Sequence, residues 1–137
     1  MRPKVVFDTN IYISAILFGG NPRACLELAR QREILLYTSK PLLLELARVL
    51  HKKFKWDQEG IKDVLKGIAA FATIAAPASE VNVITRDPAD NRVLEIAQTA
   101  RPDYIISGDT RHLLPLKKFQ SAPIVSAAQF LKVYERK

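Results

Sequence analysis

Short apolar runs rich in β-branched residues recur along this chain, and each is separated from the next by a stretch of helical periodicity. The runs are Val5-Val6-Phe7, Ile34-Leu35-Leu36-Tyr37, Thr73-Ile74-Ala75, Tyr104-Ile105-Ile106-Ser107 and Pro123-Ile124-Val125. Strands buried on both faces read this way. Between them, Asn10 to Leu17 predicts a short helix stopped by Gly19-Gly20, and Asn21-Pro22 predicts the start of the next. Ser39 precedes a stripe of Leu42, Leu43, Leu46, Val49 and Leu50, and Asp57 precedes Ile61, Val64, Leu65, Ile68 and Phe71. Asp87-Pro88 opens a helix carrying Val93, Leu94, Ile96 and Ala97, and Ser126 opens one with Phe130, Leu131 and either Val133 or Tyr134. Strand and helix in alternation predict an α/β fold: a three-layer α/β/α sandwich with a central, mainly parallel sheet of about five strands.

Nothing in the chain marks a linker, an internal repeat or a low-complexity tract, so residues 1–137 read as a single domain. With 48% hydrophobic residues, a chain of this length can build its own core. The single Cys25 excludes a disulfide framework and a multi-cysteine zinc site, and His51 and His112 are too few for a three-histidine site. The first apolar run breaks at Asp8, too early for a secretory signal, and no stretch approaches a membrane span. These features predict a cytoplasmic protein with no membrane partner. Lysine and arginine number 21 against 14 acids, a net charge of +7, which favours a polyanionic partner.

In parallel sheets, ligands sit beyond the carboxyl ends of the strands. Asp8 and Asp109 each follow an apolar run at that end. If the two strands are neighbours, the carboxylates converge and repel, and a divalent cation with hard oxygen ligands is the usual remedy. Glu45 lies within Leu42-Leu43-Leu44-Glu45-Leu46, close to the apolar stripe, where a carboxylate needs a partner or a metal. Asp87 serves as a helix cap, which leaves Asp90, one turn later and beside Asn91, for another role. Each acid also has an ordinary reading. Asp109 can cap the turn Thr110-Arg111-His112, and Glu45 can pair with Arg48 on its own helix.

The segments Val5-Val6-Phe7-Asp8-Thr9-Asn10, Ser39 to Leu46, Arg86-Asp87-Pro88-Ala89-Asp90-Asn91 and Tyr104-Ile105-Ile106-Ser107-Gly108-Asp109 together resemble the PIN-domain family of metal-dependent ribonucleases. The likeness is strongest to the branch known as toxins of type II toxin–antitoxin systems, and it extends from about residue 3 to residue 131. It implies an acidic set of Asp8, Glu45, Asp90 and Asp109 that holds Mg2+ or Mn2+ and hydrolyses RNA. It implies a supporting shell of Thr9, Asn10, Ser107 and Thr110. Relatives often carry an acid where this chain has Asn91, so Asp90 and Asn91 compete for the third position.

The basic residues Arg48, Lys52, Lys53 and Lys55, with His51, follow Glu45, and Arg111, Lys117 and Lys118 follow Asp109. Both groups are candidate phosphate contacts, and Trp56 is a candidate for base stacking or for the core. The helical faces Pro22–Gln31 and Asp57–Phe71 carry apolar residues suited to a homodimer or a small antitoxin protein. Two other functions fit parts of the pattern. A catalytically degenerate RNA- or protein-binding module would use the acids only as caps and ion pairs. A haloacid-dehalogenase-like phosphatase would use Asp8 as nucleophile, but that chemistry wants a second Asp where Asn10 stands.

Overall fold

The computed structural model describes residues 2–76 and 88–135, with the backbone alone for residues 88–90. The elements run β1 (Lys4–Phe7), α1 (Thr9–Leu17), α2 (Gly20–Arg30), β2 (Leu35–Ser39), α3 (Lys40–Phe54), α4 (Gln58–Phe71) and β3 (Thr73–Ala75). After these come α5 (Pro88–Ala100), β4 (Tyr104–Ile106), a 3-10 turn (Leu114–Leu116), β5 (Lys118–Phe119), β6 (Ala122–Val125) and α6 (Ala127–Glu135).

The described strands form one sheet in the order β3-β2-β1-β4-β6-β5. The first five are parallel, and β5 pairs antiparallel with β6. Helices flank this sheet, as the alternation of runs and stripes requires. The sheet has six strands rather than about five: β5 is two residues long, too short to carry a period-two signal.

The central strands are the least exposed part of the molecule. Val5, Val6, Phe7, Ile105 and Ile106 are fully buried, with Leu42, Leu46 and Leu50 of α3 among the residues packed around them. α5 lies against β1, β2 and β3, while α6 lies against β4 and α2. The Phe130 ring of α6 meets Tyr104 of β4 edge-on at 5.4 Å.

Helix caps follow the sequence in most places. Ser39 accepts from the Leu42 N–H at 3.2 Å and Asp57 from the Gly60 N–H at 2.8 Å. Ser126 and Gln129 exchange side-chain and backbone bonds at 2.9 and 3.1 Å, a reciprocal capping box. The start of α2 differs. Asn21 does not cap it; the helix begins at Gly20, and Gly19 takes the cap position at φ +85°, which only glycine adopts freely. The Asp87 cap lies outside the described residues.

Candidate active site

β1 and β4 are adjacent and parallel, with Phe7 opposite Ile106. Asp8 and Ser107 therefore emerge side by side at the carboxyl edge of the sheet. Asp8 is fully buried because it also starts α1: its Oδ1 accepts the Ile11 N–H at 2.8 Å. Its Oδ2 accepts the Ser107 hydroxyl and, at 3.3 Å, the Gly108 N–H. Ser107 Oγ in turn accepts the Asp109 N–H at 2.9 Å, so one buried hydroxyl ties the two strand ends together.

Burial pushes the Asp8 carboxyl up from 3.8 to about 6, against the hydrogen bonds from Ser107, Ile11 and Gly108; the nearby Asp109 charge adds to the rise. Asp109 is half-buried and shapes the turn that follows it. Its Oδ1 accepts the N–H groups of Arg111 and His112 at 3.0 and 3.2 Å, and its Oδ2 accepts Leu113 N–H at 3.1 Å. The His112 Nδ1 lies 3.5 Å from Asp109 Oδ2. The capping reading of Asp109 is therefore realised, and its charge still acts on Asp8.

The other candidates are placed as follows. Glu45, half-buried on α3, is bridged by two nitrogens of the exposed Arg48 one turn later. Asp90 lies in the first turn of α5, and its side chain is outside the described residues; Asn91 beside it is buried. Thr9 is half-buried, while Asn10 and Thr110 are exposed. Arg111 is exposed directly beside Asp109. Lys52, Lys53 and Lys55 are exposed at the far end of α3, about 10–15 Å along the helix axis from Glu45. Trp56 packs its half-buried ring against the core, and Cys25 is a buried filler.

Two buried hydroxyls beside the site went unnoticed in the sequence. Tyr12 of α1 stacks edge-on against Phe7 at 5.5 Å, and its hydroxyl has no hydrogen-bond partner among the described residues. The same holds for Thr38 of β2. Desolvation raises the Tyr12 phenol, with Thr38 and then Asp8 the neighbouring groups that act on it. The signal was available: Tyr12 and Thr38 are polar-tipped residues inside otherwise apolar runs.

The donor chemistry at this edge suits a hard divalent cation, since Asp8 and Asp109 are oxygen donors whose mutual repulsion a cation would relieve. Among the described residues, no group of three His, Cys, Asp or Glu side chains is gathered closely enough to hold a metal ion. Glu45 and Asp90 would have to complete such a set. No helix among the described residues is long and apolar enough to cross a membrane.

Comparison with known proteins identifies the family. An uncharacterized protein of Methanocaldococcus jannaschii is 33% identical over 114 residues, covering 80% of this chain and 72% of that protein. The family model described as PIN domain matches residues 4–111, a span that begins at β1 and ends just past Asp109. The chain thus belongs to the PIN-domain family, whose members are generally nucleases, and this supports a hydrolase at the level of chemistry.

Proposed function

We propose that this chain, residues 1–137 as one domain, is an endoribonuclease that depends on Mg2+ or Mn2+ and acts as the toxin of a toxin–antitoxin pair. The observation that carries the reading is the meeting of Asp8 and Asp109 through Ser107 at the carboxyl edge of β1 and β4. A buried carboxylate with its pKa pushed up to about 6, with the charge of Asp109 acting on it, favours occupancy by a cation or a proton. Asp8, Glu45, Asp90 and Asp109 are the residues that would hold the cation. Bound there, it would polarise the scissile phosphate and orient water for in-line attack.

The chain's own groups have separate tasks. Ser107 holds Asp8 Oδ2 in place, and the Ile11 N–H fixes Oδ1, so the carboxylate cannot rotate freely. Asp109 anchors the turn that presents Arg111 to solvent next to the site, where its guanidinium is placed to meet a flanking phosphate. Arg48 holds Glu45, and it must share or release that carboxylate when a cation binds. That pairing is the specific observation in favour of a second reading, a degenerate binding module in which Glu45 is only an ion-pair partner.

The test uses protein purified free of bound inhibitor and a fluorescent single-stranded RNA. Cleavage with Mn2+ that stops on adding EDTA, and that Asp8→Asn abolishes while leaving the fold intact, is the expected result. RNA binding without cleavage under Mn2+ would move the assignment to the binding module.

A further inference from the structure

The amino edge of the sheet, at the opposite ends of the strands from Asp8 and Asp109, carries a cleft of about 380 Å3. That is the size of a small-molecule site. Tyr104 lines it at the start of β4, and three strand steps of about 3.3 Å, about 10 Å in all, separate Tyr104 from Ser107.

The walls of the cleft are flat. The buried Phe130 ring meets Tyr104 edge-on at 5.4 Å and 75°, and the Tyr134 ring stacks against it at 6.0 Å and 29°. The three rings make a corner of aromatic surface. The Tyr134 hydroxyl donates to Glu33 at 3.3 Å, which holds its ring in place. Pro3 and Pro123 add two more rigid rings, and Val133 is the one aliphatic side chain of the lining. A docked helix would call for aliphatic holes, whereas ring faces favour a planar ligand.

Two charged groups of opposite sign, Arg2 and Asp103, share the lining, and both are exposed. Asp103 Oδ2 accepts the Lys4 N–H at 2.8 Å, which anchors the carboxylate to β1. An ionised carboxylate offers about four acceptor positions, so Asp103 keeps several for a ligand. Arg2 Nη1 donates to the Arg32 carbonyl at 3.3 Å, which leaves Nε and Nη2 as donors. A fitting occupant is therefore planar, brings donors to a carboxylate and brings an anion to a guanidinium. A guanine nucleotide does all of this. Its ring N1–H and exocyclic amino group are adjacent donors that suit one carboxylate, and its phosphate suits an arginine fork. Adenine, cytosine and uracil lack that paired donor edge.

We propose that this cleft binds a guanine nucleotide, free or within an RNA chain. The base lies in the aromatic corner with its donor edge on Asp103, and the phosphate meets Arg2. None of these residues belongs to the acidic set, so the proposal stands whether or not the chain cleaves RNA.

Calorimetric titration with guanosine monophosphate tests it, in EDTA so that no cation at Asp8 contributes. Saturable binding with a dissociation constant below about 1 mM is expected. The adenosine, cytidine and uridine monophosphates should bind about tenfold or more weakly. Tyr134→Leu should weaken binding about tenfold. Arg2→Gln should weaken the nucleotide by a similar factor and leave guanosine, which has no phosphate, unchanged. Asp103→Asn keeps an acceptor for the Lys4 N–H but offers the base an amide, and should abolish the preference for guanine. Lys62→Gln, which removes the same charge from the exposed face of α4, should change nothing. A short single-stranded RNA with one internal guanosine separates the two sources. Binding at least as tight as the mononucleotide's, and lost in the same variants, gives the cleft to RNA; weaker binding gives it to the free nucleotide, and both support the proposal. No saturation by either ligand, equal binding of all the nucleotides, or an equal effect of Arg2→Gln on nucleotide and nucleoside overturns it.

Discussion

Replacing Asp8 by asparagine should stabilise the metal-free protein at neutral pH and destabilise it in acid. The magnitude follows from the burial of the carboxyl. In the folded chain Asp8 titrates at about 6 instead of 3.8, because desolvation outweighs its hydrogen bonds. The difference corresponds to about 3 kcal/mol. The sign is that of a raised acid. The stability associated with the protonated form is fully present below the unfolded value of 3.8 and is lost as pH rises through about 6. Asparagine does not titrate, so it escapes that loss.

Asparagine is also a good helix cap, and its oxygen can still accept from the Ile11 N–H. Its amide replaces Oδ2, so the Gly108 N–H loses its acceptor and the Ser107 hydroxyl must turn round. Those changes cost about 1 kcal/mol. In EDTA, Asp8→Asn should therefore be about 2 kcal/mol more stable than wild type near pH 8 and about 1 kcal/mol less stable near pH 3. Urea titrations followed by Trp56 fluorescence across that range would measure the crossing, because acid effects common to both proteins cancel in the difference. A gap that stays constant with pH would refute the claim that Asp8 is buried as a charge. So would a variant less stable at every pH.

Ser107→Ala removes the hydroxyl that donates to Asp8 and accepts from Asp109. It should lower stability near neutral pH by about 1.5–3 kcal/mol in urea denaturation, and by less once Asp8 is protonated. Lys55 ends α3 in the left-handed conformation at φ +60°, with the N–H groups of Lys55 and Trp56 bonded back to His51 and Leu50. Lys55→Gly removes the Cβ penalty of that geometry and should add about 1 kcal/mol, read as a rise in thermal midpoint of roughly 4 °C.

Much of the fold was legible because a parallel strand is an unbroken apolar run, and five of the six strands announced themselves in this way, the edge strand β3 among them although Thr73 and Ile74 are exposed. Ser39, Asp57 and Ser126 marked helix starts by residue type alone. β5 was not legible, because Lys118 and Phe119 owe their pairing to the turn that brings them back onto β6 and not to their own pattern. At the site, Asp8 and Asp109 could be read from their positions after strands, but the cap that Asp8 provides could not. The helical pattern in the sequence opens at Asn10, which leaves Asp8 outside the helix it begins. Glu45 could be read two ways, and Arg48 occupies it in the structure.

The caps themselves argue that Asp8 does more than start a helix. Ser39 caps α3 from a buried position and is neutral, whereas Asp57 caps α4 with a charge and is exposed to water. Each choice is the inexpensive one for its surroundings, since a buried cap needs an oxygen and not a charge. Asp8 breaks the pattern by being both buried and ionisable. Asparagine at that position would satisfy the Ile11 N–H and spare about 2 kcal/mol net at neutral pH, a large share of the 5–15 kcal/mol that holds a typical domain together. The local role therefore does not account for the carboxylate. A second negative group, Asp109, is held nearby through Ser107, which makes the position less favourable still in the absence of a counter-charge. A residue that costs the fold this much, in a place where a neutral one would serve, supports the proposed role of Asp8 in holding a cation.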